Sequence, residues 1–162
     1  IKNKTKITVY ADKNTKKYLY KSFSYCFKNK KNYPAILKLN EMKKNLNFGK
    51  FIQIKSVRVK HGDVKSLSFI INDKIAYMPD VNKIYEKDYE KFRNLDFLII
   101  DCLRFKIHPS HFNMDDIIRL NLILKPKKMI LTNLFTDMDY DKLLNILPNN
   151  IKPAYDGLSL SF

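Results

Sequence analysis

The run Phe97-Leu98-Ile99-Ile100, closed by Asp101, restricts this chain more than any other feature. Four consecutive apolar residues leave a strand without a polar face, so it must be covered on both sides. Strands of that kind sit in parallel sheets under helices, and the residues that follow fit. Asp115–Leu124 carries Ile117, Ile118, Leu120, Leu122 and Ile123 and reads as a mostly buried helix. Lys128–Leu131 repeats the apolar strand, and Asp139–Leu147 is a second helix with Leu143, Leu144 and Leu147 on one face. Ile151–Tyr155 and Leu158–Phe162 read as closing β segments. Strands alternating with helices make the fold class α/β, built in layers.

The first half is less regular. Lys6–Tyr10 reads as a strand, and Asp12 or Thr15 can cap a helix over Lys16–Phe23. Lys28–Asn47 is polar and basic, with Pro34 breaking any regular element, and is expected to be an exposed loop. Phe51–Val59 alternates as a half-buried strand does. Ser68–Ile71 and Ile75–Met78 form a hairpin through Asn72-Asp73, a pair that tolerates positive φ. The 162 residues suit one domain, 1–162. No apolar stretch nears the roughly 20 residues of a membrane span, and Ile1-Lys2-Asn3-Lys4 leads into no signal-peptide core. Three glycines, with no GxGxxG and no P-loop, exclude dinucleotide and Walker-type sites. Cys26 and Cys102 have no CxxC or Cys/His spacing, which excludes a zinc ribbon. Both read as small buried hydrophobes in a reducing cytoplasm.

Charge is unevenly spread. Residues 1–60 hold 17 basic and two acidic residues, whereas residues 61–162 hold 14 of each. A basic half suits a polyanion, most often nucleic acid. Yet 27 of the 31 basic residues are Lys, and Asn and Ile are abundant too, the signature of A/T-rich codons. Arg is the residue suited to bidentate phosphate and guanine contacts. Codon composition is the better account; a non-catalytic polyanion- or RNA-binding role for segment 1–60 is the alternative.

Three histidines and two aspartates stand near strand ends. His61-Gly62 follows Val57-Arg58-Val59, Asp80 follows Ile75–Met78 after one proline, and His108-Pro109-Ser110-His111 follows the strand closed by Asp101. Strand ends of layered α/β proteins are where ligands and metals collect, and imidazole with carboxylate suits zinc, manganese or iron. On spacing alone, a strand-end Asp is more often a turn former or N-cap, and a lone His is more often a structural residue. Pro109 forbids an ordinary helical i, i+3 pairing of His108 with His111.

The segments Val59-Lys60-His61-Gly62, Ile75-Ala76-Tyr77-Met78-Pro79-Asp80-Val81, Leu98-Ile99-Ile100-Asp101-Cys102-Leu103-Arg104, His108-Pro109-Ser110-His111-Phe112, Leu131-Thr132-Asn133, Asp137-Met138-Asp139-Tyr140 and Pro153-Ala154-Tyr155-Asp156-Gly157 occur in an order and spacing that resemble metallo-β-lactamase-fold hydrolases. Within them the chain is most similar to the branch of the phosphoribosyl cyclic phosphate phosphodiesterase of phosphonate breakdown. The resemblance implies the C-terminal half of a four-layer αβ/βα sandwich. It further implies a cytoplasmic, metal-dependent hydrolase of small phosphodiesters or cyclic phosphates with two divalent ions, zinc or manganese, and leaves a homodimer open. By the same resemblance His61 ligates one ion and Asp80 bridges both. His111 faces the substrate and protonates the leaving alkoxide, with His108 as the second candidate. The family's His-x-His-x-Asp-His motif is absent from these residues. The expectation is therefore the C-terminal part of a longer protein, or a truncated relative, inactive alone. The family's Leu-Thr-His reads Leu131-Thr132-Asn133 here, which implies a harder, manganese-like pair, one weakened ion, or loss of activity.

Overall fold

In the computed structural model, which describes residues 5–161, the chain runs β1 (Ile7–Ala11), α1 (Lys13–Ser22), α2 (Ser24–Phe27), β2 (Leu37–Glu41), β3 (Asn45–Phe48), β4 (Ile52–His61), β5 (Val64–Ile71), β6 (Ile75–Met78), a 3₁₀ segment (Glu86–Phe92), β7 (Phe97–Asp101), α3 (Met114–Leu124), β8 (Lys128–Thr132), α4 (Tyr140–Ile146) and β9 (Ile151–Pro153). It divides into two units, Ile1–Leu46 and Asn47–Phe162.

In the first unit β1 and β2 pair in parallel, Ile7 opposite Leu37 through Ala11 opposite Glu41. The expected loop over Lys28–Asn47 is thus corrected: it contains β2 and the start of β3. The alternation Leu37-Lys38-Leu39 places Leu39 inward and Lys38 outward, a pattern that the surrounding lysines obscure. Of the two candidate caps, Asp12 is the one used. Its carboxylate accepts from the Asn14 and Thr15 amides, at 2.9 and 3.3 Å, and from the Thr15 hydroxyl at 2.5 Å. Partial burial opposes these bonds, which nevertheless hold the Asp12 carboxyl below its ordinary range.

The second unit holds the main sheet, ordered β3-β4-β5-β6-β7-β8-β9. β4, β5 and β6 are joined antiparallel, and β6 through β9 are parallel. The three parallel crossovers send Phe92, Ile117, Leu120, Leu124 and Leu143 into one core cluster with Leu98, Ile100, Met129 and Leu131. Successive crossovers of the same hand between adjacent strands place their connections on one face. The opposite face carries Ile75, Phe97 and Ile130, joined by Ile71, Ile99, Ala154, Leu158 and Leu160. Phe97 and Ile99 therefore serve one face and Leu98 and Ile100 the other, which is why the run has no polar position.

Local chemistry sets the boundaries. Asn113 and Asp116 form a reciprocal capping box at the start of α3. Asn72 and Asp73 adopt φ of 51° and 54°, as the β5–β6 turn requires. β5 begins at Val64, four residues earlier than expected, because Gly62-Asp63 makes a second hairpin with β4, pairing His61 with Val64 and Val59 with Ser66. Leu158–Phe162 is no strand over its described part; Leu158 and Leu160 instead pack on the smaller cluster. Phe162 and Ile1–Lys4 lie outside the described residues. Cys102 is fully buried, its thiol pushed up to about 12 by burial, with the Asp101 and Asp116 charges adding. Cys26 is only half-buried. Among the described residues no helix is long and apolar enough to cross a membrane.

Candidate metal centre

Two antiparallel steps return β4 to the direction of β6, so the C-terminal ends of β4, β6, β7 and β8 share one rim of the sheet. His61 ends β4, Asp80 lies two residues past β6, Asp101 ends β7, and Asn133 follows β8. The loop from β7 to α3 carries His108 and His111. Ligand atoms of His61, Asp80 and His111 all lie within 4.8 Å of one another. The His61 and His111 rings meet edge to face at 4.6 Å, and the His108 ring lies 5.0 Å from His111. The fold thus brings His61, Asp80 and His111 into one close group, with His108 beside it.

Hydrogen bonds determine which nitrogen each ring presents. The His61 Nδ1 lies 2.7 Å from the Ser110 carbonyl oxygen, which only accepts. Nδ1 therefore carries the hydrogen, and Nε2 keeps a free lone pair. The His111 Nδ1 is bound to the Asp101 Oδ2, which assigns the same tautomer. Partners of this kind are what orient metal-binding imidazoles. His108 is the reverse: the Ser110 amide donates to its Nδ1 at 3.3 Å, so the neutral ring carries its proton on Nε2. Burial first, then the charges of Arg104, His111 and His61, hold His108 below the ordinary imidazole range.

Asp101 is fully buried. Its Oδ2 also accepts from the Val81 amide at 3.3 Å, while Oδ1 has no hydrogen-bond partner among the described residues. Burial raises the carboxyl above the ordinary range; the His111 bond and charge and the Val81 amide oppose that rise, and the Asp80 charge adds to it. A buried, incompletely partnered carboxyl is unfavourable for the fold, and here it is aimed at a ring of the close group. Sequence reading singled out the strand-end position of Asp101 but not its pairing with His111. Ser110 and Asn82 were not singled out at all.

Three segments are tied together behind the cluster. The Gly62 amide donates to the Asn82 Oδ1 at 3.0 Å, and the Asn82 Nδ2 donates to the Pro109 carbonyl at 2.8 Å. Gly62 sits at φ +58°, and a Cβ there would come 3.0 Å from the Ser110 Cβ. Gly62→Ala is accordingly expected to lower stability by about 1–2 kcal/mol and to displace the Ser110 carbonyl from His61. Urea denaturation checks the first effect, and an unchanged midpoint would show that the turn yields without strain. Asn133 has a conformational reason of its own: it sits at φ +58°, which Asn tolerates, and its Nδ2 donates to the Pro79 carbonyl at 2.5 Å.

The donor chemistry fits a divalent cation. The His61 imidazole and the Asp80 carboxylate are donors that borderline ions such as zinc or manganese accept, and the His111 ring lies close enough to face the same ion or its substrate.

A family model described as beta-lactamase superfamily domain matches residues 1–132. Among solved structures, a new diphosphatase from the PhnP family is 26% identical, with a TM-score of 0.86, over 98% of this chain and 59% of that one. The metallo-beta-lactamase fold protein YhfI from Bacillus subtilis is 17% identical, with a TM-score of 0.71, over 93% of this chain and 63% of that one. Human tRNase Z, short form, is 11% identical, with a TM-score of 0.66, over 98% of this chain and 68% of that one. This chain thus spans 59% and 63% of the lengths of the first two. No curated protein matches it. The expected fold class holds: the sheet and its crossovers are those of part of a metallo-β-lactamase sandwich. With the family model matched from residue 1 to the end of β8, where the rim of the cluster closes, the chain belongs to the beta-lactamase superfamily.

Proposed function

We propose that this chain supplies part of the active site of a metal-dependent hydrolase of phosphodiesters. The observation that carries the reading is the group His61, Asp80 and His111, with ligand atoms within 4.8 Å and both Nδ1 atoms already engaged. The likeness to a PhnP-family diphosphatase supports phosphorus–oxygen chemistry over other hydrolyses. In this reading His61 and Asp80 hold the metal. A divalent ion in such a site polarises a phosphoryl oxygen and activates water. His111, turned by Asp101, presents Nε2 to the same space; once Nε2 has taken up a proton, the imidazolium held by the Asp101 carboxylate passes it to the leaving oxygen and returns to the neutral ring. His108, with its hydrogen on Nε2, stands one ring further out as the second proton carrier.

Metal dependence is the first test. Chelation of the whole protein should remove phosphodiesterase activity toward bis(p-nitrophenyl) phosphate, and manganese or zinc should restore it. His61→Ala should weaken metal affinity by at least about 10–100-fold, the loss typical even of an orienting partner. Elemental analysis after dialysis measures it. Hydrolysis that survives chelation, or metal retained by the variant, would sink the reading.

A further inference from the structure

We propose that the exposed face of α1 is a docking surface for single-stranded RNA, its backbone gripped by Lys13, Lys17 and Lys21 and a base stacked on Tyr18. At about 100° per residue, Lys13, Asn14, Lys17, Tyr18 and Lys21 fall within an arc of about 140°, and all five are exposed. The three lysines stand at i, i+4 and i+8, a line about 12 Å long. Tyr18 lies beside that line and is 66% exposed. The other side of the helix, where Lys16 and Leu19 are half-buried, lies against β2 and α2. The whole surface belongs to the first unit.

No carboxylate answers these ammonium groups. Ile1–Leu46 holds thirteen lysines and no arginine against Asp12 and Glu41 alone. Asp12 is taken by its capping bonds, and Glu41 pairs with Lys16 at 4.0 Å. Among the described residues Lys13, Lys17 and Lys21 make no ion pair. The arrangement weakens the helix itself. Like charges at i, i+4 repel, and Lys13 opens a first turn that holds no acidic residue, against the helix dipole. Codon composition explains why lysine and tyrosine are common, but not why lysines line up on the solvent face of a helix that they destabilise. A polyanion laid along that line turns each repulsion into an attraction.

The partner follows from what accompanies the charge. Lysines are point charges that hold phosphate without reading sequence. Tyr18 offers a ring on which a base stacks, and only unpaired bases are free to do so. Asn14 lies around the helix between the lysine line and Tyr18, and its amide carries both the donor and the acceptor that a ribose 2′-hydroxyl takes. An anionic membrane would want an apolar face free to enter it. The apolar side of α1, at Leu19, is turned toward its own unit. RNA docking here stands whether or not the hydrolase reading does.

The probe is a labelled oligouridylate, titrated into the metal-free whole protein by fluorescence anisotropy and NMR, so the result does not depend on turnover. The expected result is saturable binding with amide shifts centred on Lys13–Ser22. Log K should fall with log salt, three phosphate contacts accounting for a slope of about −2. Lys13→Gln/Lys17→Gln/Lys21→Gln should flatten the slope by about that amount, whereas Lys13→Arg/Lys17→Arg/Lys21→Arg should keep it. Tyr18→Ala should weaken binding about fivefold or more with the slope unchanged. Helix propensity barely separates Lys, Gln and Arg, and Ala exceeds Tyr, so weakened binding in these variants is not loss of the helix. An oligodeoxythymidylate of the same length should bind about threefold less tightly, and Asn14→Ala should erase that difference. Duplex RNA or phosphatidylserine vesicles bound as tightly as the single strand, no difference between RNA and DNA, shifts centred elsewhere, or unchanged affinity in the Gln or Tyr18→Ala variants overturns the inference.

Discussion

His111→Ala in the whole protein is expected to slow hydrolysis of a phosphodiester with an alkoxide leaving group by about 10²–10⁴-fold. The same change should matter far less for a nitrophenolate diester, because that leaving group departs without a proton. The expectation follows from geometry. The ring is held at Nδ1 by a fully buried carboxylate, and a ring nitrogen lies within 4.8 Å of the ligand atoms of His61 and Asp80. Asp101→Asn should reproduce the leaving-group dependence in weaker form, since an amide can still occupy the site but can no longer favour the same tautomer. The competing role is that of a third ligand, and metal content distinguishes the two. If His111→Ala loses metal as completely as His61→Ala, and both ester types slow equally, then His111 holds the ion and is no proton donor.

Phe92→Ala is expected to destabilise the second unit by about 3–5 kcal/mol, a large share of the roughly 5–15 kcal/mol available to a domain. Phe92 is fully buried in the main cluster. It arrives there on the 3₁₀ segment Glu86–Phe92, which connects β6 to β7 and carries buried Asp88, bound to Lys91. This crossover has no long helix to spread the loss, so the cavity would open beside β6, which leads to Asp80, and β7, which ends in Asp101. Guanidinium denaturation measures the change. A loss below about 1 kcal/mol would show that the segment can be hollowed out without cost to the sheet, contrary to the packing.

The parts of this fold that were legible in the amino-acid sequence are those governed by neighbours in the chain. The apolar run at Phe97–Ile100 announces a strand covered twice because burial on both faces leaves no place for a polar residue. The helices after it show themselves by apolar spacing, and the Asn72-Asp73 turn by residues that bear positive φ. The same local rules failed where lysine masks an alternation, at β2, where a glycine turn stood unmarked between β4 and β5, and where a 3₁₀ segment has no amphipathic period.

Resemblance supplied the site residues by name, but their chemical state was not legible. His61 and His111 are 50 positions apart in the chain, and only the return of β4 to the direction of β6, with the loop after β7 folded over that rim, brings their rings to 4.6 Å. The tautomers depend on atoms that carry no side-chain signature: the Ser110 carbonyl accepts from His61, while the Ser110 amide donates to His108. Periodicity records which residues are buried. Which polar groups meet at a rim is decided by topology, because hydrogen bonds and like-charge contacts act over a few ångströms of space and not over positions in a chain.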